Sequence, residues 1–250
     1  MGSAGLRRSA SMELADHYCQ LAPFAGAFRQ GTPALLYHRL GRGPLFTRQR
    51  GLTLPVRVFA RQLAELQAAG FHSATPNDAP GTPGRIWLTF DDGDASALAA
   101  IEPLRAYGFR ATQFLVAGRI GGVNDWDRTG APLMTEAQVR TWLAAGHTIG
   151  SHSMTHARLT SLSPAAAREE IHASRRRLED LFGVAVQMFA YPWGEWNARL
   201  AGEVAAAGYR AAFTISPGVN GPAMEAFALH RYSVWCAWRR PRELWFLLTA

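Results

Sequence analysis

The sequence contains no lysine, and all 26 of its basic residues are arginine. Against 19 acidic residues this gives a net charge of +7, which could in principle attract an acidic partner. The arginines are scattered, however, and the run at positions 175–177 lies among helix-forming residues. That run is typical of a solvated helix face, so nucleic acid is not an expected partner.

Cysteine is nearly absent too. Cys19 and Cys236 have no C-x-x-C or zinc-finger spacing, which argues against a disulfide framework and against a cysteine metal site. Long apolar runs are also missing: no stretch reaches the ~18 residues of a membrane span, and no apolar segment follows Arg7 and Arg8 as in a secretory signal. We therefore expect no membrane span and no secretory signal, and the cellular compartment stays open, cytoplasmic by default.

What the chain does have is apolar residues in alternating strand-like and helix-like segments. Of its 250 residues 48% are hydrophobic, including 8 Trp and 13 Phe, enough for a packed core. Short apolar runs such as "PALLYH", "RIWLTF" and "RATQFLVA" alternate with helical patterns such as "PVRVFARQLAELQAAG". This βα alternation without a linker predicts an α/β barrel over 31–250, preceded by an N-terminal tail or helix over 1–30.

Polar residues follow two of the predicted strands. "RIWLTF" is followed by Asp91 and Asp92, and "HTIGSH" leads into His152 and His156, four positions apart. Each pair alone has an ordinary explanation, an Asp-Asp-Gly turn or two polar residues at a strand end. Since active-site groups gather at the carboxyl ends of barrel strands, the pairs together indicate a three-ligand divalent metal site with one aspartate left over. His147, at the start of the second segment, is expected on the surface.

"TFDDG" and "HSMTH" resemble the first two motifs of the polysaccharide deacetylase, or NodB-like, family of carbohydrate esterases. The resemblance continues in order through "EEIHASRRRLEDLFG", "FAYPWG" and "AAGYRAAFTISPG", and covers roughly residues 32 to 234. The upstream pieces "LLYHRL" and "FARQLAELQAAGF" resemble the branch of bacterial poly-N-acetylglucosamine deacetylases. The resemblance implies a deformed (β/α)7 barrel.

The resemblance also implies a mechanism. Asp92, His152 and His156 would hold a divalent ion, Zn²⁺ first, with Co²⁺ or Ni²⁺ as alternatives. Asp91 would act as the general base towards water. The backbone N–H of Trp193 would donate to the oxyanion.

Three functions are compatible with this pattern. The leading one is a metal-dependent hydrolase that removes N-acetyl groups from an N-acetylglucosamine-type polysaccharide or glycan. The second keeps the metal and the base but acts on a small amide, and the third is a non-catalytic carbohydrate-binding relic. The partner in the leading case is an N-acetylated carbohydrate, and the oligomeric state is left open.

The chain departs from the family pattern at two positions. Many members carry an arginine where this chain has Ala190, and that arginine holds the catalytic aspartate. Arg231 in "ALHRYSV" is a candidate to take its place. Many members also carry an aromatic residue where this chain has Asp94, which predicts a different substrate groove or only a different loop.

The general acid has two candidates. In many members it lies in a C-terminal L-x-H motif, whereas here His230 directly follows Leu229. An L-x-H does occur at Leu36-Tyr37-His38, at the end of the first predicted strand. Because first and last strands are neighbours in a closed barrel, we expect His38 to be the acid, with Leu36 lining the acetyl pocket. Trp126, in a long loop, is expected either to stack on a sugar or to fold back onto the barrel rim.

Overall fold

A computed structural model describes residues 20–42, 52–127 and 129–234. Cys19 and Cys236, residues 1–19 of the predicted tail and residues 235–250 of the predicted domain lie outside these ranges. None of the helices in the described ranges is long and apolar enough to cross a bilayer.

The strands are short and mostly buried. In chain order they are β1 (Thr32–Tyr37), β2 (Arg39–Leu40), β3 (Thr53–Leu54), β4 (His72–Ser73), β5 (Arg85–Phe90), β6 (Thr112–Leu115), β7 (Thr148–Ser151), β8 (Met188–Ala190), β9 (Ala211–Phe213), β10 (Val219–Asn220) and β11 (Tyr232–Ser233). The helices between them are α1 (Ala25–Phe28), α2 (Val56–Ala68), α3 (Ile101–Ala106), α4 (Glu136–Ala144), α5 (Pro164–Phe182) and α6 (Ala198–Ala206).

Seven parallel strands form the barrel wall, in the order β11, β1, β5, β6, β7, β8, β9. The wall closes where Phe213 of β9 bridges Leu229, three residues before β11 begins. Helices cover its outer face, so strands such as β1 are buried on both sides and read as continuous apolar runs. The predicted (β/α)7 barrel is confirmed.

The barrel interior is filled by side chains of alternate strand positions. These are Ala34, Trp87, Phe114, Met188, Ala190, Phe213 and Leu229. Gly150 of β7 makes room for them, because a Cβ there would lie 2.4 Å from the Phe114 ring. With the interior packed, the open rim at the carboxyl ends of the strands is where a substrate can approach.

Local sequence signals define where α4 and α5, two of the helices on the outer face, begin. Thr135 caps α4 and forms a reciprocal capping box with Gln138. Ser163 caps α5, which has Pro164 at its first position, and Gly183 ends it in the left-handed conformation. The predicted caps at Thr135 and Ser163 are confirmed.

Two segments differ from a simple reading of the sequence. The described part of the predicted tail packs on the barrel: Phe28 is fully buried and contacts Phe71 and Tyr232. The expectation that His147 lies on the surface is wrong. It is 4% exposed and its ring centroid lies 4.5 Å from that of Trp142, because Gly146 turns the chain inward at the start of β7.

Candidate active site

The carboxyl ends of neighbouring strands bring the predicted site residues together. β1 and β5 pair in parallel with Tyr37 opposite Phe90, so the residues that follow, His38 and Asp91, leave the sheet side by side. The Asp91 N–H donates to the Tyr37 carbonyl at 3.0 Å, which continues the pairing by one residue. Two strands further round, His152 follows β7, and its N–H donates to the Leu115 carbonyl of β6.

Asp92, His152 and His156 form a compact buried cluster. Each offers a ligand atom, and these atoms all lie within 4.8 Å of one another. Asp92 Oδ1 lies 3.7 Å from His152 Nε2 and 3.4 Å from His156 Nε2. One carboxylate and two imidazoles at this spacing match the donors of a divalent site with coordination positions left open.

The two histidines are oriented in different ways. His152 Nδ1 lies 2.8 Å from the Ala190 carbonyl, and donation there leaves Nε2 with its lone pair towards the aspartates. His156 is held by rings: Trp126 stacks on it with centroids 4.3 Å apart and planes at 17°, and Trp193 meets it at 5.0 Å and 63°. Trp126 therefore folds back onto the rim, the second of its two expected positions.

Asp91 is held by Arg231, the candidate named from the sequence. Arg231 is fully buried and donates from Nη1 and Nη2 to the two Asp91 oxygens, at 2.7 and 2.8 Å. It also donates to the Thr89 hydroxyl and to the Thr214 carbonyl. Ala190 is packed in the barrel interior, so the guanidinium reaches Asp91 from the segment before β11.

The two aspartates are in opposite electrostatic situations. Burial, the largest single effect, works against ionisation of Asp91. The charge and hydrogen bonds of Arg231, together with the nearby histidines His152 and His38, outweigh burial and lower the pKa of Asp91 to about 2. Burial, followed by the nearby Asp91 charge, raises the pKa of Asp92 to about 8. A nearby cation is what would stabilise Asp92 as a carboxylate.

Charge counting gives an independent test of whether a divalent ion fits. Within the part of the chain that the structure describes, a connected set of charges at this end of the barrel consists of four carboxylates and two guanidinium groups, from Asp91, Asp92, Asp94, Asp127, Arg39 and Arg231. Fully ionised, they leave two negative charges in a buried region, which one divalent ion would neutralise. The donor set and the charge balance therefore both fit a divalent metal.

Asp94 has a structural partner that the sequence did not indicate. Its Oδ2 accepts from Arg39 Nε at 2.8 Å, and its Oδ1 caps the following turn through Ser96. Arg39 also pairs with Asp127 in the long loop at 2.7 Å. Position 94, where the family resemblance predicts an aromatic residue, thus holds one half of a buried ion pair beside the Asp92–His152–His156 cluster.

The two candidate acids lie at opposite ends of the barrel. His38 lies at the rim beside Asp91 and His152, whose charges act on it, and burial above all lowers the pKa of His38 to about 4. His230 lies near the start of β1, because Asn220 donates both to the His230 carbonyl and to the Thr32 carbonyl. The six strand positions between Thr32 and His38 correspond to ~20 Å.

Backbone strain is concentrated at the same rim. Among the described residues, the non-glycine positions with positive φ are Asp92, Ser153, His156 and Trp193, at 71°, 66°, 66° and 63°. Such conformations cost free energy and persist where the surroundings enforce them, commonly at functional sites. Trp193 lies in the short turn Pro192–Gly194, and its indole N–H donates to the His156 carbonyl at 3.3 Å.

Two residues of this site escaped the sequence reasoning in their observed role. Arg39 follows directly after His38, but nothing in its local sequence indicates that it is buried. Trp126 was expected at the rim as one of two positions, but its stacking on His156 was not. A signal for both was available in the pair Trp126-Asp127, since an acidic loop residue is a natural ion-pair partner for an arginine that directly follows a predicted strand end.

Comparison with known proteins places the chain in a family. The sequence profile described as polysaccharide deacetylase matches residues 78–212, more than half of the chain. YxkH of Bacillus subtilis strain 168, whose name assigns it to the polysaccharide deacetylases, is 26% identical over 81% of this chain and 71% of its own length. PgdA of Listeria monocytogenes, a peptidoglycan-N-acetylglucosamine deacetylase, is 27% identical over 48% of this chain, and the match spans 24% of PgdA.

A solved structure agrees with the fold. IcaB from Ammonifex degensii superposes with a TM-score of 0.72 at 25% identity, covering 82% of this chain and 92% of IcaB. The barrel, the rim cluster that follows the two motifs and the profile match agree with one another. The chain belongs to the polysaccharide deacetylase family.

Proposed function

We propose that this protein is a metal-dependent hydrolase that removes N-acetyl groups from an N-acetylglucosamine-type polysaccharide or glycan. The observation that carries the proposal is the buried Asp92–His152–His156 cluster beside an Asp91 held by Arg231. A hydrolase of this type needs an ionised base next to its metal, and the Arg231 charge favours the ionised form of Asp91. The name of PgdA adds support for N-acetylglucosamine as the sugar.

The metal would be held by Asp92, His152 and His156, with Zn²⁺ as the first choice and Co²⁺ or Ni²⁺ as alternatives. A bound divalent ion supplies Lewis acidity, which polarises the acetamide carbonyl and acidifies a water molecule. The nitrogen and oxygen donors suit all three metals.

The side chains around the cluster divide the proton transfers. Asp91, with a pKa of about 2, is ionised in the neutral range and takes the proton from the attacking water. The backbone N–H of Trp193 donates to the substrate carbonyl oxygen as that oxygen becomes negative. His38 then delivers a proton to the leaving amine.

His38 is neutral in the resting protein, because burial lowers its pKa to about 4. Negative charge building on the substrate oxygen favours the imidazolium form of His38, and the proton that the neighbouring Asp91 takes from the water supplies it. His38 passes this proton to the leaving amine, which returns Asp91 to its ionised form and His38 to its neutral form. Its position beside Asp91 makes it the better candidate than His230, which lies at the far end of β1.

Acetate release from N-acetylglucosamine oligomers tests this proposal. The wild-type protein is first treated with EDTA and then supplied with Zn²⁺, Co²⁺ or Ni²⁺. We expect no release after chelation, restoration by metal, and at least a ~10²-fold loss of turnover in Asp91→Asn with metal still bound. His72→Ala, at an exposed position on β4, is the matched control and should release acetate like the wild type.

The competing functions predict different results. Release of acyl groups from small amides but not from sugar oligomers would favour the small-amide hydrolase. Saturable oligomer binding with no release under any metal would favour the carbohydrate-binding relic. Undiminished release by Asp91→Asn would show that the base lies elsewhere.

A further inference from the structure

His156 lacks the support that a metal-binding histidine usually has. Such a histidine normally donates its second ring N–H to a carboxylate or carbonyl, which sets the orientation of the ring. His152 does this through Ala190, but His156 Nδ1 is buried with no hydrogen-bond partner among the described residues. Its ring must therefore be oriented by packing, and the closest parallel surface is Trp126, at 4.3 Å and 17°.

Trp126 lies at the tip of the loop over 121–134, and the base of this loop is well anchored. The Met134 N–H donates to the Gly93 carbonyl and the Leu133 N–H to the Gly122 carbonyl, at 2.8 and 3.0 Å. Asn124 and Ala131 continue the pairing towards the tip. Beyond Asn124 the tip has an exposed ion pair, between Asp125 and Arg119 at 2.9 Å, and a second attachment that is more deeply buried.

Arg39 provides a charged attachment for the tip. Its Nη2 donates to Asp127 Oδ2 at 2.7 Å and to the Thr129 hydroxyl at 3.0 Å, while its Nε donates to Asp94. Arg39 is 8% exposed, so these bonds are shielded from water and from salt. One guanidinium thus ties β2, the turn after β5 and the loop tip together.

We propose that Arg39 is a positioning residue that, through Asp127, holds Trp126 on His156 and thereby orients this histidine as a metal ligand. The inference rests on the proposed function in taking His156 to bind a metal. It assigns the 121–134 loop a role in metal affinity rather than in sugar stacking. The planar guanidinium is required, because a lysine ammonium cannot reach Asp94 and Asp127 with the same fork of donors.

Co²⁺ titration of the metal-free protein, followed by its visible absorption, tests the effect on the metal site. Trp126→Leu and Arg39→Met should each bind Co²⁺ ~10-fold more weakly, the effect typical of losing an outer support of a ligand. Trp126→Phe, which keeps a flat ring on His156, should stay near the wild-type affinity. Arg168→Met is the control for arginine loss, because Arg168 is an exposed arginine whose ion pair with Glu203 joins α5 to α6 and not to the 121–134 loop.

Hydrogen–deuterium exchange tests the attachment itself. In Arg39→Met, peptides within 121–134 should exchange ~10-fold faster while α5 and α6 exchange as in the wild type. Arg39→Lys should show an intermediate rate. At saturating Co²⁺ the turnover of Arg39→Met should return towards the wild-type value, which a general loss of folding would not allow.

The outcomes separate this inference from the proposed function. Wild-type exchange in 121–134 or wild-type Co²⁺ affinity in Arg39→Met would overturn the role of Arg39. Unchanged Co²⁺ affinity in Trp126→Leu would overturn the role of the indole. A wild-type protein that binds Co²⁺ yet releases no acetate would refute the deacetylation and leave these results valid.

Discussion

Replacing Arg231 by methionine tests the central ion pair of the site. The guanidinium is fully buried and makes two charge-assisted hydrogen bonds to Asp91. Each of these hydrogen bonds contributes ~1.5–3 kcal/mol. The substitution also leaves the Asp91 carboxylate isolated in the interior, and together the two effects should destabilise the protein by about 4 kcal/mol. For a chain of this size that corresponds to a fall in Tm of about 8–16 °C.

Thermal unfolding followed by circular dichroism measures this effect, with EDTA present because bound metal would add its own stabilisation. Arg231→Met, Asp91→Asn and the double variant form a double-mutant cycle. Because the double variant leaves neither charge buried alone, its loss should fall short of the sum of the single losses by about 2 kcal/mol. Additive losses, or a fall in Tm below about 2 °C for Arg231→Met, would refute the reasoning.

Three further predictions concern the same barrel. Adding Ala190→Arg to the Arg231→Ala variant should recover part of the acetate release, because the new side chain starts in the interior beside the space that Arg231 leaves. If no release is recovered, an arginine at position 190 does not reach the position that the Arg231 guanidinium occupies on Asp91. His38→Ala should lower turnover by ~10²-fold while His230→Ala stays near wild type, and the opposite result would move the general acid to the chain's other end. Burial, and then the charge of Arg110, lower the pKa of His147 to about 4. Between pH 6.5 and 4 the unfolded chain therefore binds the proton more readily than the folded chain does. The free energy of unfolding should fall by on the order of 2 kcal/mol as the pH drops through this range. His147→Leu should flatten that part of a urea-denaturation profile against pH, and an unchanged profile would show that another group causes it.

The barrel and the Asp92–His152–His156 cluster were predictable because their signals are local. Each strand end is marked by an apolar run followed by polar residues, and His152 and His156 are four positions apart. The parallel topology then places such ends on one rim without further information. The position of Asp91 and Asp92 follows from the same rule.

The supporting residues were harder to predict because their partners are distant in sequence. The Arg39–Asp127 contact joins residues 88 positions apart. Nothing near either residue distinguishes it from a solvated charge, and only the folded loop brings them together. Arg231 could be named as a candidate because an arginine was missing at Ala190, but its hydrogen bonds needed the three-dimensional arrangement. His147 was misjudged since burial of a histidine with no hydrogen-bond partner in the described ranges leaves no pattern in the sequence.

The separation between Asp91 and Arg231 also has a consequence for the order of folding. These residues are 140 positions apart, and closing a chain segment of that length costs about 4 kcal/mol in entropy, before any constant term. We therefore expect the contact to form late, after the strands from β5 to β9 have paired with their neighbours. Until the segment carrying Arg231 docks against β1, Asp91 faces an open sheet with water around it. A partly folded chain would have the Asp92–His152–His156 cluster assembled while Asp91 still lacked Arg231, so under the proposed function acetate release should begin only once the barrel closes.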